Sequence, residues 1–300
     1  MMAVRSWIVR RFPCGLLASL LGLAAASCIG GLWAGSADGY ILEGPHVLSL
    51  VANKLSGVKS LRVDQQVTVE DPAISAEPVS LDETLSFVFP GNFRSDILLQ
   101  NTRRIHVVSQ ERQLTIVDDR ITGNAEGRYD QYKDLLLYNS AHMLQKILYM
   151  HGVDVGITSL GRLGDHIVFV VGAHYPDESV SQVWVDKEQF FPLRWLIVTE
   201  GGNPSRTEDR WEFLYSQWQK IDGAFYPFKI ETFHNQRRIR LIQVTKADAS
   251  AIIDGELFNI SHLQSIYPMQ EMPAPREDQT PSDADEVRRT IEEFKKKFEP

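Results

Sequence analysis

Cysteine is almost absent from this chain of 300 residues. There are two, Cys14 and Cys28, and both fall within the first 37 positions. The chain beyond them has no disulfide, no cysteine zinc site and no thiol nucleophile. Positive charge is short as well: 31 Lys and Arg against 39 Asp and Glu give −8, and a leader that takes Arg5, Arg10 and Arg11 with it makes this −11. Nucleic acid is therefore not an expected partner, since phosphate binding needs a segregated basic patch and the best cluster, Arg237, Arg238 and Arg240, is short. Catalytic signatures are missing too. There is no G-x-S-x-G, no H-E-x-x-H, no Walker loop, no dinucleotide fingerprint and no EF-hand loop. The eight histidines are scattered singly, Asp118-Asp119 reads as a turn, and Ser159 has neither the spacing nor the neighbours of a nucleophile loop. No cofactor or metal is expected and the chain is not expected to be an enzyme, an unrecognised hydrolase being the weak alternative.

What is present begins with an export leader. Arg5, Arg10 and Arg11 precede an apolar run from Gly15 to Ala26, with small residues at the candidate cut sites. Three outcomes stay open. Ala24-Ala25-Ala26-Ser27-Cys28 is similar to a lipoprotein signal, which makes Cys28 a candidate lipidation site. Cleavage after Ala34-Gly35-Ser36-Ala37 releases a chain starting near Asp38. Retention leaves an anchor, because Gly15 to Ala34 is nearly long enough to span a bilayer.

Beyond the leader the pattern is mainly β. Pro45 to Ser56 reads as an amphipathic helix stopped by Gly57. Leu61 to Glu70 alternates apolar and polar residues, with Gln65 the one exception on the apolar side. Leu85 to Leu99 is a hairpin turning at Pro90-Gly91, with Leu85, Phe87, Phe89, Phe93 and Ile97 alternating along it and a cation, Arg94, in its midst. Arg94 is either a surface charge or the one polar group inside an apolar hollow. Asp130 to His151 breaks the meander as two helical pieces divided at Asn139-Ser140, either ordinary core or a movable lid. Strands resume from His166 and bring Trp184, Trp195, Trp211 and Trp218, with Gly201 to Glu208 as a polar loop. Residues 263–281 are proline-rich and read as a disordered linker, and 282–300 as an amphipathic helix carrying Val287, Ile291, Phe294 and Phe298.

Four segments, in order, resemble the LolA/LolB-type lipoprotein carrier family, whose fold RseB-like sensors share. They are Phe89-Pro90-Gly91-Asn92-Phe93-Arg94, Val183-Trp184-Val185-Asp186 running to Phe191-Pro192-Leu193-Arg194, Ile221-Asp222-Gly223 to Tyr226-Pro227, and Ile253-Asp254 to Leu257-Phe258. The resemblance implies an α+β, mainly β fold over residues 38–262: an unclosed antiparallel β-barrel with an N-terminal helix and an inserted helical lid. It further implies a cavity for acyl chains of lipoproteins or related lipids, without covalent chemistry, and an Arg94 that faces this cavity and bonds to the lid. Lining is expected from Leu85, Phe87, Phe89, Phe93, Ile97, Met143, Ile147, Trp184 and Trp211. The expected setting is the bacterial envelope, as a monomer, periplasmic or membrane-associated through Cys28 or an uncleaved leader. An envelope protein partner could dock on the C-terminal helix. The alternative is an RseB-like sensor or scaffold whose core is filled by its own side chains.

Overall fold

The structure, a computed structural model, describes residues 41–99, 102–123, 127–203 and 206–269. Helix α1 (Gly44–Leu55) opens it, with Pro45 in the first turn, where a missing N–H costs no bond, and Val47, Leu48, Val51 and Leu55 buried. Gly57 ends the helical approach at a tight spot. A Cβ there would sit 1.9 Å from the Gly223 carbonyl oxygen, so a larger residue cannot be placed without moving backbone.

Six strands then step outward: β1 (Ser60–Val69), β2 (Val79–Val88), β3 (Asn92–Leu99), β4 (Thr102–Ser109), β5 (Arg112–Val117) and β6 (Arg120–Gly123). An insert comes next, made of a 3₁₀ turn (Arg128–Lys133), α2 (Asp134–Leu137) and α3 (Ala141–Met150). Seven more strands return: β7 (Thr158–Leu163), β8 (His166–Val171), β9 (Gln182–Asp186), β10 (Pro192–Asn203), β11 (Arg206–Ile221), β12 (Ala224–His234) and β13 (Arg237–Asp248). Because β13 pairs with β1, all thirteen join one sheet, with β6 and β7 at its opposite edges. The ladder pairs are antiparallel and the two edges do not meet, so the sheet is an unclosed barrel wall. That is the mainly β class expected from the alternation.

Each face of the sheet has its own cover. The inner face packs on α1, α2 and α3 as the main core, with Trp195 and Phe213 at 0% exposure among its largest members. On the outer face of β4 to β6, Ile105, Val107, Leu114 and Ile116 are covered by Phe258 of the turn Gly255–Phe258 and by Ile260 and Leu263 of α4 (Ile260–Ile266). The Ile121 amide donates to the Pro268 carbonyl at 2.9 Å, which protects the β6 edge.

Several expectations need correcting. The stretch Gly201 to Glu208 is mostly strand, since β10 runs to Asn203 and β11 starts at Arg206. Pro90 and Gly91 belong to a three-residue connection, because Val88 pairs with Asn92, and Gly91 supplies its positive φ of 87°. α4 crosses the boundary at residue 262, and buried Leu263 makes the start of the expected linker part of the fold. The leader with Cys28, the rest of the linker and the helix at 282–300 lie outside the described residues.

Candidate functional site

Inside the curve of the sheet, three strands depart from their own apolar alternation. β1 turns Leu61, Val63, Gln65, Val67 and Val69 inward, β2 turns Glu83, Leu85 and Phe87, and β13 turns Arg240 and Ile242. A period of two leaves these polar groups no other face to occupy. Gln65 and Glu83 are each 2% exposed and Arg240 is 4% exposed, and groups so buried require partners.

Much of that partnership comes from the insert. Arg240 donates to the Tyr129 carbonyl at 2.6 Å and to Glu83 at 3.1 Å, with its guanidinium 5.1 Å from the Tyr132 ring centre. Gln65 Nε2 donates to Glu83 at 2.7 Å and to the Tyr132 hydroxyl at 3.2 Å. Ser95 donates to the other Glu83 oxygen. The Tyr215 hydroxyl donates to the Tyr132 carbonyl at 2.8 Å, Arg104 pairs with Asp130 at 2.6 Å, and the Tyr129 hydroxyl bonds Asp71. Strands β1, β4, β11 and β13 thus all hold one short segment. Tyr129 to Tyr138 is buried throughout.

Burial sets the electrostatics of this region. It pushes the His106 imidazole down to about 3, with Arg104 and Lys133 acting the same way and Asp130 and Asp134 opposing. Burial pushes Asp130 up, but Arg104, His106 and Arg240 more than offset it and hold the carboxyl at about 2. Lys133, at 0% exposure, is lowered by burial against the pull of Asp134, which lies 3.0 Å from its ammonium. The Tyr132 phenol is raised well above its usual value, again by burial first and then by Glu83.

The lining residues expected from the sequence divide between the two faces. Leu85, Phe87 and Phe93 are inward and buried. Phe87 lies 5.1 Å from Phe93 and 5.6 Å from Phe89 between ring centres. Phe89, Met143 and Ile147 are half-buried against the same core. Trp211 is inward, edge to face with Tyr129 at 5.5 Å. Ile97 is half-buried and shares the Phe93 side of β3 by alternation. Trp184 faces the other way. It joins Val168 and Val170 in a small outer cluster and lies 4.6 Å from the Arg194 guanidinium, because Val183 and Val185 take the inward positions of β9.

Arg94 is the main correction. It points outward, one residue out of phase with Phe93 and Ser95, and donates to both Asp96 oxygens at 2.6 and 2.8 Å and to the Leu257 carbonyl at 3.2 Å. The arginines that bond to the insert from the inner face are Arg240 and Arg104, and alternation against Ile242 could have identified the first. Gln65 gave the one legible signal of the polar belt. Ser159 belongs to β7, donating to the Ala173 carbonyl and accepting from the Tyr175 amide, each at 2.8 Å. Among the described residues, no three His, Cys, Asp or Glu side chains gather as a metal site.

No family model matches the chain, and no curated protein matches it in sequence. Solved structures do resemble it. A proposed outer membrane lipoprotein-sorting protein domain from Vibrio parahaemolyticus is 11% identical over 73% of this chain and 97% of that one, with a TM-score of 0.49. A LolA superfamily protein from Nitrosomonas europaea is 9% identical over 73% and 98%, also at 0.49. The MucA/MucB complex of Pseudomonas aeruginosa gives 13% identity over 80% and 68%, at 0.26. The likeness is one of fold alone. With identities this low and TM-scores below one half, it lends the chain no function.

Proposed function

We propose that this protein is a cell-envelope carrier or acceptor of acyl chains, whose hollow is occupied in the closed state by the insert Arg128–Met150. The observation that carries the reading is the polar belt, which joins the insert to an otherwise apolar wall through Arg240, Arg104, Gln65 and Tyr215. Polar pairs in such a place roughly break even against apolar contacts, because desolvation consumes most of their attraction. The apolar share of the seating is larger: Tyr132, Leu135, Leu136, Leu137, Leu144 and Leu148 are all under 5% exposed, and at about 1.5–3 kcal/mol each they contribute roughly 9–18 kcal/mol. A sixteen-carbon acyl chain, at about 0.8 kcal/mol per buried methylene, brings roughly 12 kcal/mol. The two are comparable, so chain and insert can compete for one wall and ligand binding shifts the balance toward the open state.

Native mass spectrometry of protein extracted from the envelope, together with titration of a fluorescent fatty acid, tests this. The expected result is a bound acyl species and saturable uptake. Tyr215→Phe, which removes one bond holding the insert shut, should tighten uptake about fivefold. A second reading, a sensor or scaffold with a self-filled core, is favoured by the close packing of Trp195, Phe213 and Tyr132, all at 0% exposure. Absence of co-extracted lipid, with no uptake by either protein, would leave that reading standing and overturn carriage.

A further inference from the structure

Where the insert ends, a cavity of about 470 Å³ opens between it and β10. Local geometry places it there. Gly152, at φ 79°, reverses the chain after α3, and the His151 amide bonds back to the last turn of that helix. Ile197, itself a core residue, forms one wall with Thr199 near it, and Arg128, Gln131 and Met150 line the side made by the insert.

The lining offers a guest no charge to pair with. Arg128 already has a partner within the fold, and among the described residues no carboxylate lines the cavity. The group left to act is Gln131. It is 9% exposed, its neighbours Asp130 and Tyr132 are both committed to the inner wall, and its Oε1 has no hydrogen-bond partner among the described residues. A buried acceptor without a donor is costly, so this one favours a guest that brings a hydrogen. The end of α3 acts the same way, because Met150 to Gly152 present the carbonyl pole of the helix, which carries partial negative charge. Both features oppose a phosphate or carboxylate. An ammonium would suit them but would lie beside the Arg128 guanidinium. A hydroxyl suits the whole lining, since it donates to the amide oxygen without charge, and Thr199 adds a second group able to bond one. The volume is many times a water's share of about 30 Å³ and falls in the range of small-ligand sites.

We propose that this cavity seats the neutral polyol head group, glycerol or sugar, of an amphiphile whose acyl chain enters the hollow past Ile197 and Met150. The proposal rests on the acyl-binding reading and adds to it a ligand class. Met150 and Tyr149, 67% and 78% exposed at the end of α3, give the apolar threshold such a molecule would cross.

Affinities of the full chain for monolauroylglycerol, methyl laurate and laurate test the assignment, with free glycerol as a fourth probe. The first two carry the same acyl ester, and only the first has hydroxyls. Monolauroylglycerol should bind at least about fivefold more tightly than methyl laurate, and no more weakly than laurate. Gln131→Met, which keeps the side chain's length and removes its acceptor, should shrink the ratio of the two esters to about twofold or less. Thr199→Val should shrink it by a smaller factor. Circular dichroism melts confirm that each variant is folded, and two positions on different elements guard against loss of either. Equal affinity for the two esters, a ratio that neither folded variant reduces, or tighter binding of laurate than of monolauroylglycerol overturns the head-group seat and leaves acyl binding intact. Saturable binding of glycerol beside equal affinities for the esters assigns the cavity to a free polyol and overturns the seat as well. Binding of no amphiphile overturns both the seat and carriage.

Discussion

The two faces of the sheet are covered by unlike means, and β4 belongs to both. Its Ile105 and Val107 point outward into a cover of Phe258, Ile260 and Leu263, while Arg104 and His106 point inward to a segment held by ion pairs and hydrogen bonds. An apolar cover needs only area, and little except a larger apolar surface can displace it. A polar cover is specific in register yet near break-even in free energy, so it fixes one seated position without making that position permanent. In the proposed function the outer cover is structural, and the inner one, which buries Leu135, Leu136, Leu137, Leu144 and Leu148 beside its polar bonds, is the one a ligand exchanges with.

The sharpest way to break this contrast is to remove one inner partner. Glu83→Ala strands Arg240 and Gln65 in the core and should cost about 3–5 kcal/mol in urea unfolding, more than any single outer contact. Glu83→Leu combined with Arg240→Leu should recover most of that loss, since an apolar pair suits the same wall. If the single variant costs under about 1 kcal/mol, the belt does not hold the insert.

Acid should distinguish the faces next. The folded value for His106 lies near 3, below its ordinary 6.5. In that window the unfolded chain binds a proton that the folded chain does not. Stability is then full above about pH 6.5 and falls as pH drops toward 3, by up to roughly 1.4 kcal/mol per pH unit. Asp130, held near 2 against an ordinary 3.8, supplies stability that is present above 3.8 and lost only below it, so above pH 3.8 the loss belongs to His106 alone. Between pH 6.5 and about 5, wild type should lose roughly 2 kcal/mol more than His106→Gln, with amide exchange rising first in the insert and not in α4. Parallel pH profiles for the two proteins would remove His106 as the cause.

Much of the sheet was legible because period-two alternation is a local property. The strand around Leu61 to Val69 and the hairpin around Phe87 and Phe93 could be placed from their own residues, as could the break at Asn139-Ser140. Facing direction was harder wherever both sides of a strand are covered. β9 is buried at every position, so Trp184 gave no sign of which side it served, and aromatic size suggested the wrong one. Arg94 failed for a related reason. Part of its pairing comes from Leu257, 163 residues away, and no local pattern announces a second layer on the outer face. The inner belt had a signal in Gln65, but its meaning depends on Glu83, Arg240 and Tyr132 arriving from three other segments.

Arg94→Leu is the smallest of these effects and the cleanest division between the faces. Seated inward as a latch, Arg94 would control ligand exchange, and replacing it would change uptake. In the observed position its loss frees Asp96, which is 33% exposed and keeps Arg103 at 3.6 Å, so water and a neighbour satisfy what remains. A leucine can also lie against the apolar outer cover beside Val107. Unfolding should therefore shift by about 1 kcal/mol or less, and fluorescent fatty-acid uptake should equal that of wild type. A change in uptake several times larger than the change in stability would mean that the outer cover communicates with the hollow, and the division of labour between the two faces would fall.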